Sequence, residues 1–171
     1  MSDTPAPDMP MTGDATNNAG TPVLRVVAQY LKDLSFENPN APGIYGEMTE
    51  SPQIEVNVDV SARTLGQDHY EVELSVSAKA SAKDKPAFVV ETTYAGVFLL
   101  QGIPQEHLEP VMVVECPRLL FPFLRQIIAD ATRNGNFPPL MLEPIDFLAI
   151  YESRRAQEAD QQNGEAAPAE G

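Results

Sequence analysis

The sequence predicts an α+β chain, strands first and helices after, on three observations. Two central stretches alternate apolar and polar residues with strict period two. A C-terminal stretch repeats apolar residues at helical spacing. Neither a glycine-rich phosphate loop nor a Cys/His cluster interrupts this order.

Taken in order, the opening stretch is ambiguous. Leu24, Val27, Leu31 and Leu34 have helical spacing, whereas Tyr30, Leu34 and Phe36 with Lys32 between them suit a strand. "IEVNVDV" then sets Ile54, Val56, Val58 and Val60 against Glu55, Asn57 and Asp59. "YEVELSVSAKA" repeats the pattern with Tyr70, Val72, Leu74, Val76 and Ala78. Period two means half-buried antiparallel strands. "TLGQDH" and "AKDKP" supply hairpin connections, the second leading into a further strand at "FVVETTYAGVFLL".

"CPRLLFPFLRQIIADATRNG" places Leu120, Leu124, Ile127, Ile128 and Ala131 on one helical face and stops at Asn134-Gly135. A kink or restart is expected at Pro122. Leu119, Phe121 and Phe123 widen the apolar sector to roughly twice the ~100° that one neighbour needs. The second neighbour is either more core or another subunit. A last helix is expected with Pro144 in its first turn, running through Ile145, Phe147, Leu148 and Tyr151 to Arg154-Arg155.

The chain of 171 residues is 43% hydrophobic, enough for one sizeable core and short for two. Residues 1–22 and 156–171 contain acids and no base, and both read as disordered tails around a domain at 23–155. A net charge of −14 disfavours nucleic acid and anionic membrane surfaces and favours basic partners. With one cysteine, no basic-then-apolar leader and no run of 18 apolar residues, a soluble cytoplasmic protein without membrane insertion is expected.

Nothing in the pattern argues for catalysis or a cofactor. His69 and His107 sit in turn and loop segments without metal-ligand spacing, and Cys116 opens an apolar run as a buried thiol would. The outer face of the strands is more informative. Odd-numbered positions present Glu55, Asp59, Glu71, Glu73 and Glu91 beside Val89, and Asp33 and Glu37 join them if the opening stretch is a strand. Lys79 is the one base at these positions. Such a face is either simply solvated or a dock for a basic partner with Val89 as apolar anchor.

"YLKDLSFENPNAP" followed by "CPRLLFPFLRQIIADATRNGNFPPLMLEPIDFLAIY" closely resembles the SecB family of bacterial protein-export chaperones, over residues 23–151. The resemblance implies a four-stranded antiparallel sheet, a crossover loop and two helices. It makes the opening stretch a strand and the assembly a homotetramer, a dimer of dimers. It implies that Leu119, Phe123, Leu124 and Ile127 contribute to the subunit interface. The family holds secretory precursor proteins unfolded and passes them to SecA, the motor of the translocon. A groove for the unfolded client is expected from Ile44, Tyr45, Val97, Phe98, Ile103, Leu140, Met141 and Leu142. The SecA-docking positions match Asp33, Glu37, Val89 and Glu91. Two other classes stand beside this reading: an adaptor that recognises folded partners, and a small-ligand enzyme.

Overall fold

The computed structural model describes residues 21–165. The expected N-terminal tail lies outside them except for its last two residues. Strands β1 (Val23–Glu37), β2 (Gln53–Gly66), β3 (His69–Ala82) and β4 (Lys85–Gln101) form one antiparallel sheet in the order β1-β4-β3-β2. The two hairpin turns place Gln67 and Asp68, and then Lys83 and Asp84, at positive φ. Paired left-handed residues give the turn twist that matches two right-twisted strands, and Asp tolerates that conformation better than most side chains.

The opening stretch is a strand, and its register explains its helical look. Pairing with β4 slips between Val26 and Ala28 and again between Leu31 and Asp33. Each bulge adds a residue, so the positions on the inner face run Leu24, Val26, Gln29, Leu31, Leu34, Phe36. Each bulge stretches one step of two into a step of three, which sets Leu24, Leu31 and Leu34 seven and three residues apart, as a helix also would.

Helices α1 (Gly43–Glu47) and α2 (Gln105–Pro110) are short additions to the expected elements. His107 therefore lies on α2, exposed, rather than in a loop. A π-helical stretch at Val111–Glu115 leads into the long helix α3 (Cys116–Asn134). That helix runs as one element through Pro122, which sits on its exposed side. There the Arg118 carbonyl that Pro122 cannot satisfy is able to turn to water. The last helix, α4 (Phe147–Glu165), differs from expectation at both ends. Its start is set by Asp146, whose carboxylate accepts the Ala149 N–H at 3.0 Å, so Pro144 precedes the helix instead of opening it. At its far end the helix continues past Arg155 through Glu165, into the stretch read as a disordered tail.

Leu120, Leu124 and Ile128 of α3 are fully buried against the central strands, together with Val72, Leu74 and Val76 of β3 and Val90 and Phe98 of β4. The helix packs mainly on β4 and β3 and barely meets β1. An aromatic cluster pins the loop ends at one corner: Phe88 lies 5.9 Å from Phe36 and 4.9 Å from Phe137, and Tyr45 lies 5.5 Å from Phe137. The Tyr45 hydroxyl donates to the Gly135 carbonyl at 2.9 Å, fastening α1 to the end of α3.

Gly135 is at φ −78°, so this helix end does not use glycine for left-handed backbone; Asn136, at φ 63°, takes that conformation. What requires glycine is proximity, since a Cβ there would lie 2.3 Å from the Phe36 ring. Gly135→Ala is expected to lower stability by about 1–3 kcal/mol through overpacking of this corner. A fall in the denaturant midpoint checks it.

Candidate functional site

The sheet's outer face divides into two halves. In one, side chains from β1 and β2 converge on Glu71 of β3, which is only 3% exposed. The Tyr30 hydroxyl and the Arg63 Nε–H both donate to its carboxylate, and the Lys32 ammonium approaches it at 3.4 Å while pairing with Glu73. To reach β3, Tyr30 and Lys32 cross β4 at Ala95, the residue between Tyr30 and Glu73 in the register, which is itself buried. The Arg63 guanidinium and then the Tyr30 hydroxyl hold the Glu71 carboxyl at about 2, against an ordinary 4.5. Asp59 is likewise paired, with Arg154 of α4.

The other half, Asp59 at its margin aside, keeps its acids free of ion pairs among the described residues. Cross-strand rows read Glu37, Val89, Lys79, Glu55, then Ser35, Glu91, Ser77, Asn57, then Asp33, Thr93, Ser75, Asp59. Asp33, Glu37 and Glu91 are exposed and Val89 is half-buried among them. The Thr92 hydroxyl donates to the Asp33 carbonyl at 3.0 Å, which anchors the strand beside its second bulge. Among the described residues none of Asp33, Glu37, Glu55 and Glu91 makes an ion pair. Period two therefore brings the four expected docking positions together. It overstated the acidity of the whole face, because Lys32 lies in a bulge, Arg63 lies past the alternating run, and Arg154 comes from another element.

The inner face leaves apolar surface uncovered on both flanks of α3. On the β1 side Leu24, Leu31 and Leu34 are 37–45% exposed, next to Leu119 and Phe123 of α3 at 41% and 49%. The Phe123 ring stacks on Tyr94 at 5.8 Å with its other side open. Ile127 is half-buried at the border of this stripe. Leu124, expected at the interface, belongs to the core, because it shares the sheet-facing row with Leu120 and Ile128.

On the β2 side Ile54 and Val56 are 40% and 43% exposed and face residues 140–145 across a hollow of about 400 Å³. It adjoins a second hollow of about 200 Å³ that reaches Met48, Phe88 and Phe137. Leu140 and Met141 line both. Of the expected groove residues, Met141 is exposed, and Tyr45, Leu140 and Ile103 are half-buried. Leu142 is buried yet lines the larger hollow, Ile44 and Phe98 are core residues, each at most 1% exposed, and Val97 lies on the opposite, outer face. The wall that sequence reasoning missed is Ile54, Val56 and Met48. Alternation puts Ile54 and Val56 on the apolar side of their strand, which gives the direction of a side chain but not whether anything covers it.

Burial, with Glu115 nearby, pushes the Cys116 thiol up to about 12. Among the described residues no group of His, Cys, Asp or Glu could hold a metal, and no helix is long and apolar enough to cross a membrane.

Comparison with known proteins agrees with this architecture. The profile of the family SecB, preprotein translocase subunit SecB, matches residues 17–158. A protein-export protein SecB of Bartonella quintana is 51% identical over 155 residues, covering 91% of this chain and 97% of its own. Another, from Maricaulis maris, is 47% identical over 171 residues, covering 97% and 98%. Among solved structures, the SecB-like chaperone Rv1957 of Mycobacterium tuberculosis, in complex with a ChAD peptide from the Rv1956 HigA1 antitoxin, shares the fold. Its TM-score is 0.60 at 15% identity, covering 71% of this chain and 90% of that one.

The Glu71 cluster generates a pH prediction. A carboxyl whose folded-state pKa is depressed contributes stability that is complete above its unfolded value, near 4.5, and lost as pH falls toward 2. Glu71→Gln should therefore cost about 2 kcal/mol at pH 7, and the gap to wild type should close as acid is added. Urea melts across this pH range measure it.

Proposed function

The chain belongs to the SecB family of protein-export chaperones, and from that premise we propose how its surfaces divide the work: the β2-side hollows hold unfolded secretory precursors, the free half of the outer face docks SecA, and the β1 and α3 flank builds a homotetramer, a dimer of dimers. The setting is the cytoplasm, where precursors are made. The observation that carries this reading is that a well-packed core still leaves apolar surface open in separate places. A non-native chain offers loose apolar side chains and extended backbone, and a receptor for it needs such open surface.

The docking assignment rests on charge. Among the described residues Asp33, Glu37 and Glu91 form no ion pair; Glu37 flanks the half-buried Val89 on one side, Lys79 is the single base in their rows, and Glu91 and Asp33 follow along the same face. A basic partner would relieve their mutual repulsion and cover the one apolar residue beside them. SecA, with a zinc-bearing basic tail in the family's known partnership, has that chemistry, and the zinc belongs to SecA. The assembly assignment rests on Leu119 and Phe123. Two large apolar side chains on one side of a helix, beside three exposed leucines of β1, form a continuous patch suited to a copy of itself.

Two measurements check these surfaces separately. Glu37→Lys or Asp33→Lys should weaken SecA binding by about tenfold or more while leaving capture of a denatured precursor unchanged, and added salt should loosen the SecA complex more than the precursor complex. Equal losses for both partners would mean damage to the fold, and no loss for SecA would place docking elsewhere. Phe123→Asp, placed where the side chain is exposed within one subunit, should shift the mass found by light scattering from four subunits toward fewer. An unchanged mass would move the interface off this flank.

A further inference from the structure

Among the described residues Arg154 is the one side chain of α4 that makes a hydrogen bond or ion pair with another element. The helix itself lies on the inner side of β2, where Ile150, Tyr151 and Arg154 share a hollow with Val60 and with Val113 of the π-helical stretch. From there the Arg154 guanidinium passes the edge of the strand. It donates to the Val60 carbonyl at 3.4 Å and pairs with Asp59, a residue of the outer face. From Glu152 to Gln161 every residue of α4 is exposed, so this contact is the last polar tie of the described helix to the body.

Asp59 belongs by position with the docking acids. It ends the row that begins at Asp33 and crosses Thr93 and Ser75, three strand spacings or about 14 Å away. Asp33, Asp59 and Glu91 also line one hollow of about 320 Å³ on the outer face, together with Ser75, Ser77 and Thr93. A cation is therefore already seated at one end of the surface on which a basic partner is expected, and it is the chain's own. The pair is exposed, 43% at Arg154 and 66% at Asp59, so solvent screens it and exchange for another cation is cheap.

We propose that Arg154 is an intramolecular competitor on the docking face: its guanidinium occupies Asp59 in place of a basic side chain of the partner, and a partner that spans the row displaces it and unties the outer half of α4. The proposal rests on the docking reading and adds to it a residue that sets affinity from another element. Two equilibria share one carboxylate. Whatever cation takes Asp59 frees Arg154, so docking and tethering oppose each other by the same factor. The place of the tie matters as well. Phe147, the first residue of α4, follows the trough wall at Ile145 by two residues, so the untied helix is continuous with the surface proposed for unfolded chain.

The probe is a labelled peptide of six lysines alternating with glycine, titrated against the full chain by fluorescence anisotropy at low salt. Arg154→Gln should bind it about threefold more tightly than wild type. Removing a positive charge anywhere favours a basic ligand, so Arg155→Gln is the control. It deletes the same charge one residue on, from a side chain whose hydrogen bond is to Tyr151 of its own helix, and should gain less than about 1.5-fold. In an Asp59→Asn background the gain from Arg154→Gln should vanish. Amide exchange supplies a readout that a merely structural contact would not move. Peptide should speed exchange at residues 156–161 in wild type and leave it unchanged in Asp59→Asn, where the tie is already broken.

Equal gains from Arg154→Gln and Arg155→Gln, a gain that survives Asp59→Asn, or exchange in α4 indifferent to peptide overturns the competitor. The peptide-dependent exchange of wild type decides the matter if a variant loses its fold. Glu37→Lys separates the two readings: peptide binding that Glu37→Lys weakens but Arg154→Gln leaves unchanged refutes the competitor alone, and peptide binding indifferent to Glu37→Lys refutes the docking reading beneath it.

Discussion

A single helix cannot cover a four-stranded sheet. Strands spaced about 4.8 Å apart spread four backbones over roughly 14 Å before side chains are counted, while a helix with its side chains is about 10–12 Å across. α3 lies over β4 and β3, and the result is visible residue by residue. Val72, Leu74, Val76, Val90 and Phe98 are sealed, whereas Leu31 and Leu34 on one side and Ile54 and Val56 on the other are open. The π-helical stretch and α4 close the Val60 end of β2 and leave its Ile54 end uncovered.

Each exposed flank then takes its character from its surroundings. The β1 flank is extended by Leu119 and Phe123, so it presents a broad patch with an aromatic ring at its centre. The β2 flank is a trough with a second wall, residues 140–145, and an unpaired backbone along one side. A flat patch suits a preformed copy of the same surface, and a trough with a backbone edge suits a chain without structure. The outer face is separate from both, because β-strand alternation sends neighbouring residues to opposite sides. Tethering of Glu71 and Glu73 by Lys32 and Arg63 confines the free acids to one half of that face.

Much of this was legible in the sequence because alternation is a strong constraint. It placed the central strands and their hairpins and set Glu91 on the outer face, with Asp33 and Glu37 joining it once the opening stretch is a strand. The opening strand was not settled by its residues, since two bulges set Leu24, Leu31 and Leu34 at spacings a helix would also give. Burial was less readable than direction. Ile44, Phe98 and Leu124 proved to be core, and Ile54 and Val56 proved to be surface, although apolar residues in alternating or helical runs look alike in both places. What separates them is how far one helix reaches across the sheet, a tertiary quantity no local pattern contains. The pairing of Asp59 with Arg154 was hidden for the same reason, because its partners lie far apart in the chain.

The central claim is that the two open flanks serve different partners, with the β2 edge reserved for unfolded chain. Hydrogen exchange of the full-length protein, alone and with a denatured precursor, tests it at the backbone. The outward amides of Ile54, Val56 and Val58 should exchange fast in the free protein and slow markedly when precursor is bound, while β1 and the Leu119–Phe123 side of α3 stay unchanged. Unaltered exchange at Ile54–Val58, with new protection on β1 and α3 instead, would contradict it.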